Sequence, residues 1–190
     1  MSDLHGPDNA EHELRKAYNC VINASVAHFW DRRSVPGVNA HEVISIYKQA
    51  HQAYRKGDKL AAERWARAAK HLSRAFSAEA KIAYLEPRAM ELPFLNGATP
   101  EEYEITHPHD SAADLLDSVK DAIPAGLHKM PEDMARYQAR ARKHLETLGL
   151  PDYKHELLRA ERVKAAHEYG RVIECMALAY EAESSHRDVA

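Results

Sequence analysis

Residues 8–35 and 58–86 contain neither glycine nor proline. Breaker-free runs of that length suit long helices, because strands in globular proteins average only about five to six residues. Composition points the same way. The chain has 32 alanines against 19 valines, isoleucines and threonines together, and alanine is the best helix former whereas β-branched residues favour strands. Six of the seven glycines and all nine prolines fall in a few breaks, and only Gly170 lies inside a stretch that otherwise reads as helix. The expectation is an all-α fold: a single-domain helical bundle of about six helices with long antiparallel helical hairpins.

The breaks place these helices over about Asn9–Trp30, Ala40–Lys56, Lys59–Glu86, Ser111–Ile123, Pro131–Gly149 and Asp152–Glu183. Gly57-Asp58 reads as a tight joint, with glycine free to take a left-handed cap and aspartate able to cap the next helix. Pro131-Glu132-Asp133 puts proline and then acids where a helix begins. Residues 87–108, with Pro87, Pro93, Pro100 and Pro108, form a long connecting segment whose apolar side chains suggest that it packs down.

A chain of 190 residues suits one domain, here 1–190. Its mean hydropathy of -0.59 and lack of a long apolar run exclude a membrane-spanning reading. The opening residues Met1–Pro7 show no basic and then apolar leader pattern. Cys20 and Cys175 provide neither a disulfide framework nor a four-ligand zinc site, so a cytoplasmic location is expected. The formal net charge of -3 argues against a chain that binds nucleic acid over its whole surface.

Charge is unevenly distributed. Residues 55–81 carry a net +5, and residues 86–121 a net -7. On the third helix Ala62, Trp65, Ala69, Leu72, Phe76, Ala80 and Ala83 share one face. Arg64, Arg67, Lys70, His71, Arg74 and Lys81 lie opposite, with Glu63 the only acid among them. Two consequences are open: the acidic segment 86–121 folds back and neutralises this face, or the face binds an acidic partner or nucleic acid. Arg136, Arg140 and Lys143 form a second basic strip.

Cys20–Trp30 and Val172–Tyr180 are apolar nearly all round, which predicts first and last helices that are central and able to touch. Within them, Glu174 is a candidate buried carboxylate, with His28 or Asn23 as partner. The ordinary alternative is a structural polar contact, or Glu174 reaching solvent.

Thirteen histidines raise the question of a metal. Glu-x-x-His occurs at Glu104–His107 and Glu183–His186, and His107-Pro108-His109-Asp110 is a ligand-rich run, but no His-x-x-x-His exists. No metal site and no cofactor is therefore expected. Ala50, Ala53, Tyr54, Gly57 and Asp58, followed by Ala62 and Ala69, resemble half of a tetratricopeptide hairpin, which implies a helical hairpin; without a second copy in register no solenoid follows. Arg162 followed by His167, and Arg64 followed by His71, resemble the spacing in some helical-bundle ribonucleases. The polar residue that usually follows that arginine is Val163 or Trp65 here. The tyrosines at 47, 54, 84, 137, 153, 169 and 180 fall on helices, where a half-buried core or interface role is ordinary.

The leading expectation is a non-catalytic helical interaction protein that engages a protein partner or itself, through Arg64, Arg67, Lys70, His71, Arg74 and Lys81. The alternatives are a nucleic-acid-binding or RNase-type bundle, using the basic face of the third helix or Arg162 and His167, and a metal- or ligand-binding bundle around Glu174 and His28.

Overall fold

The computed structural model describes residues 7–30, 40–88, 131–150 and 156–187, without the side chains of residues 7, 8, 24–30, 88, 186 and 187. The described residues form five α-helices and one 3-10 turn, an all-α fold with no strand among them. The helices are α1 (Pro7–Trp30), α2 (Ala40–Arg55), α3 (Lys59–Leu85), α4 (Glu132–Leu148) and α5 (Glu156–Arg187), with the turn at Glu86–Arg88 following α3. The helix expected over Ser111–Ile123, most of segment 87–108 and all but the start of the acidic run lie outside the described residues.

The α2–α3 joint follows directly from Gly57-Asp58. Gly57 takes φ +83°, and its N–H donates to the Tyr54 carbonyl at 3.0 Å. The Asp58 N–H reaches back to the Ala53 carbonyl at 3.1 Å, completing a Schellman closure. The Asp58 carboxylate then accepts from the Ala61 N–H at 2.9 Å and so caps α3. Two consecutive residues end one helix and start the next, which makes the antiparallel hairpin.

α3 is the centre of the molecule and packs on α1, α2 and α5, while α4 packs on α5. Trp65 meets Glu183 and Lys81 meets Glu161, so α3 and α5 run antiparallel along their lengths. Tyr137 stacks on Tyr169 and His144 meets Arg162, giving the second antiparallel pair, α4 and α5. Trp65, Leu72, Phe76, Tyr169, Ile173 and Met176 fill the middle of one buried cluster to which all five helices contribute. A smaller cluster of Ala78, Ile82, Leu158 and Ala165 closes the far end of the α3–α5 pair.

Two expectations change. α3 is not a surface helix with one wet side: Ala61, Ala62, Ala66, Ala68, Ala69, Ala75 and Ala78 are fully buried around much of its circumference. Alanine has so little bulk that helices approach closely on several sides without a continuous apolar stripe. α5 is central as expected, but α1 has α2 and α3 as its principal neighbours, not α5. Tyr18 and Ile22 of α1 stand 51% and 41% exposed.

Candidate interaction site

The basic face of α3 is engaged inside the molecule. Lys70 Nζ lies 2.9 Å from Glu13 of α1, and Arg67 lies 2.7 Å from Glu63 one turn earlier. His71 Nδ1 donates to Glu168 of α5 at 2.6 Å, Arg74 stands 3.9 Å from the same carboxylate, and Lys81 reaches Glu161 at 3.0 Å. Arg64 is half-buried on the same helix. The neutralising acids thus come from α1, α3 itself and α5. Burial pushes Glu168 up, but the His71 hydrogen bond and the nearby His71, Arg74 and His167 outweigh it and leave the carboxyl below its ordinary range. Glu13 behaves likewise: burial raises it, and Lys70, Lys16 and Arg67 bring it below the usual value.

The second strip is also tied down. Glu42, in the first turn of α2, accepts from Arg136 at 3.3 Å and from the Tyr137 hydroxyl at 3.0 Å, with Arg140 3.8 Å away. Arg140 also donates to the Tyr169 hydroxyl at 3.3 Å and lies over the Phe76 and Tyr169 rings. Burial and the Glu42 charge drive the Tyr137 phenol upward, and burial with the Glu79 charge does the same to Tyr169.

The expected buried carboxylate at Glu174 is half-exposed and pairs with Arg171 at 2.8 Å, one turn away. Asn23 is exposed, and the His28 side chain lies outside the described residues. No polar centre is built around Glu174 among the described residues. Among the described residues the buried acids are instead Glu13, Asp58, Glu63, Glu161 and Glu168. Glu63 could have been found from sequence, since its spacing to Arg67 is that of a helical ion pair. Glu161 and Glu168 could not, because their partners are 80 and 97 residues away; Glu13 has Lys16 three residues on, but its buried partner Lys70 is 57 residues away. Arg162 and His167, five positions apart, point about 140° apart around α5. Arg162 faces His144 and Glu86, and His167 is buried. Among the described residues no group of three His, Cys, Asp or Glu could hold a metal ion, and no helix is long and apolar enough to cross a membrane.

What the molecule leaves open is a groove of about 730 Å³ between α1 and α2. Its wall on α2 is Tyr47, His51 and Tyr54, at helical spacings that put all three on one face. Across it stand Leu14 and Tyr18 of α1, with Arg15 and Arg55 also lining the groove. The Tyr18 and Tyr47 rings are 6.0 Å apart, and Tyr47 meets His51 edge-on at 6.3 Å. The Tyr54 hydroxyl donates to Glu11 and bridges the two helices; that bond raises the phenol above its ordinary value. Burial, with the Tyr18 ring beside it, does the same to Tyr47. The sequence shows the tyrosines on α1 and α2, but not that antiparallel packing sets Tyr18 opposite Tyr47. Comparison of the chain with protein-family models, curated proteins and solved structures gives no significant match.

Proposed function

We propose that this chain is a non-catalytic helical interaction protein that docks a protein partner in the groove between α1 and α2. The observation that carries this reading is the cluster of Tyr18, Tyr47, His51 and Tyr54 lining the groove, with Tyr18 half-exposed. Tyrosine and arginine dominate the energetics of protein interfaces: a rigid ring buries a large area at little entropic cost, and guanidinium pairs with partner carboxylates at the rim. Arg15 and Arg55 supply that rim. The basic face of α3 is not the docking surface in this reading, because Arg67, Lys70, His71 and Lys81 already hold Glu63, Glu13, Glu168 and Glu161.

The test is site-specific photo-crosslinking in cells, with a benzophenone side chain at position 18 and a control at position 150, which is also exposed. A discrete adduct is expected at 18 and none at 150, and Tyr47→Ala or Arg55→Glu should abolish it. Sedimentation velocity then tells whether the adduct is a second copy of the chain or another protein. Equal labelling at both positions, or none at 18, would remove the proposal.

A further inference from the structure

The chemistry of the α1–α2 groove limits what can occupy it. Among the described residues that line it, Glu11 is the only carboxylate, and it already accepts from the Tyr54 hydroxyl. Arg15, on the α1 side, is 83% exposed and lies 4.0 Å from Glu11. On the α2 side Lys48, His51 and Arg55 are exposed and follow three- and four-residue steps, so both long cations stand along one edge. Among the described residues no carboxylate pairs with Lys48 or Arg55. Cationic edges therefore flank an apolar floor. Leu14, Tyr18 and Ile22 succeed one another at one-turn intervals on α1, and the exposed Ile22 carries that floor beyond the groove.

Resting on the groove reading above, we propose that the occupant is an acidic amphipathic helix of the partner protein. Its apolar stripe lies on the floor, and carboxylates on both sides of that stripe meet Arg15, Lys48 and Arg55. The occupant is helical because the groove walls are helices, whose backbone groups are paired within themselves. With no sheet edge among the described residues to extend, a segment lying here must satisfy its own N–H and C=O groups. The lining residues run over eight positions on each helix, Glu11 to Asn19 and Tyr47 to Arg55, about 12 Å. Anchors at i, i+3 or i+4 and i+7 of a docked helix cover about 10 Å, which matches. Nucleic acid fits less well. Bases stack on open ring faces, but Tyr18 and Tyr47 are tilted by 45°, and Tyr47 meets His51 edge-on at 64°. Glu11 would also stand against the phosphates. A second copy pairing through the same groove would set two groups of cations against each other.

The experiment is fluorescence anisotropy with two labelled helical peptides that share leucines at i, i+4 and i+7 and differ only in flanking glutamates or lysines. The glutamate peptide should bind saturably, weaken as salt rises, and bind at least about tenfold more tightly than the lysine peptide. Lys48→Glu with Arg55→Glu should weaken the glutamate peptide about tenfold, the combined effect of two exposed charge pairs. Both side chains are exposed, so the fold should survive, and circular dichroism checks that it does. Equal binding of the two peptides, no saturable binding of the glutamate peptide, or an affinity that the double variant leaves unchanged would overturn the proposal. So would a competitor that displaces the labelled glutamate peptide at lower concentration than its own unlabelled form. A single-stranded oligonucleotide that does so makes the groove a nucleic-acid site. A peptide of residues 109–124 that does so, taken from the chain's own acidic run, puts the occupant within the chain. The crosslink at position 18 separates this result from the groove reading. A discrete adduct that excess glutamate peptide fails to suppress leaves the groove a docking site and removes only the acidic helix.

Discussion

At the scale of single residues, the most informative pair is Arg67 and Glu63. The Glu63 carboxylate is 2% exposed, and Arg67 supplies a cation at 2.7 Å from a side chain that itself stays a third exposed. Removing one partner of a buried pair leaves a charge without its compensation, which typically costs about 3–5 kcal/mol. Because Arg67 is partly in water, Arg67→Ala should cost less, about 2 kcal/mol, in urea unfolding. A loss below about 0.5 kcal/mol would mean that Glu63 is satisfied without Arg67. Both residues are legible in the sequence as neighbours on one helix face; that they sit inside the molecule is not, because burial there depends on α1 and α5. The cysteines give a second test. Burial, reinforced by the Glu174 charge, pushes the Cys175 thiol up to about 12, and Cys20 is partly accessible. In native protein at pH 8 a thiol reagent should therefore label Cys20 first and Cys175 only after denaturant is added. Simultaneous release of two equivalents would contradict the placement of Cys175.

At the scale of elements, the joint between α2 and α3 is legible in the sequence alone, because Gly57 and Asp58 each have a specific physical task. Gly57→Ala meets no atom within 4 Å but must adopt φ +83°, so the expected loss is that of a left-handed non-glycine residue alone, about 1–2 kcal/mol. A loss much larger than that in thermal unfolding would mean the joint tolerates no side chain. α3 is harder to read. A helical wheel finds Trp65, Leu72 and Phe76, but it leaves the alanines on the other sides as neutral filler. They are the interfaces with α1, α2 and α5. Ala69→Leu, at a fully buried position, should thus destabilise by about 1–3 kcal/mol through overpacking, although it raises hydrophobicity and keeps helix propensity. The groove between α1 and α2 is illegible for a related reason. Periodicity shows which residues share a face of one helix, and only packing shows which faces meet.

At the scale of the whole molecule, the depressed carboxyls fix the acid side of the stability profile. Glu168 and Glu13 have folded values below the ordinary 4.5, so the unfolded chain takes up protons first as pH falls. Their contribution is complete above about pH 4.5 and is lost as pH drops through the folded values. Tyr137 and Tyr169 set the opposite side. Both are raised above the ordinary 10, so the unfolded state ionises first and stability declines above about pH 10. Melting temperature should therefore be flat between these limits and fall on each side, and Glu168→Gln should lower the plateau while making the acid fall shallower. An unchanged acid limb in that variant would show that Glu168 does not govern it.

The cross-helix pairs Lys70–Glu13, His71–Glu168 and Lys81–Glu161 also bear on how the helices could move. Alanine surfaces are smooth, and between the large core side chains they offer few steric notches of their own against sliding. A shift of one turn, about 5.4 Å, would carry Trp65, Leu72 and Phe76 out of their places in the core and pull each of these charges away from its counterpart at once. The ion pairs therefore act less as glue than as teeth. Where alanine leaves the interface smooth, they hold the register that the large core side chains set elsewhere.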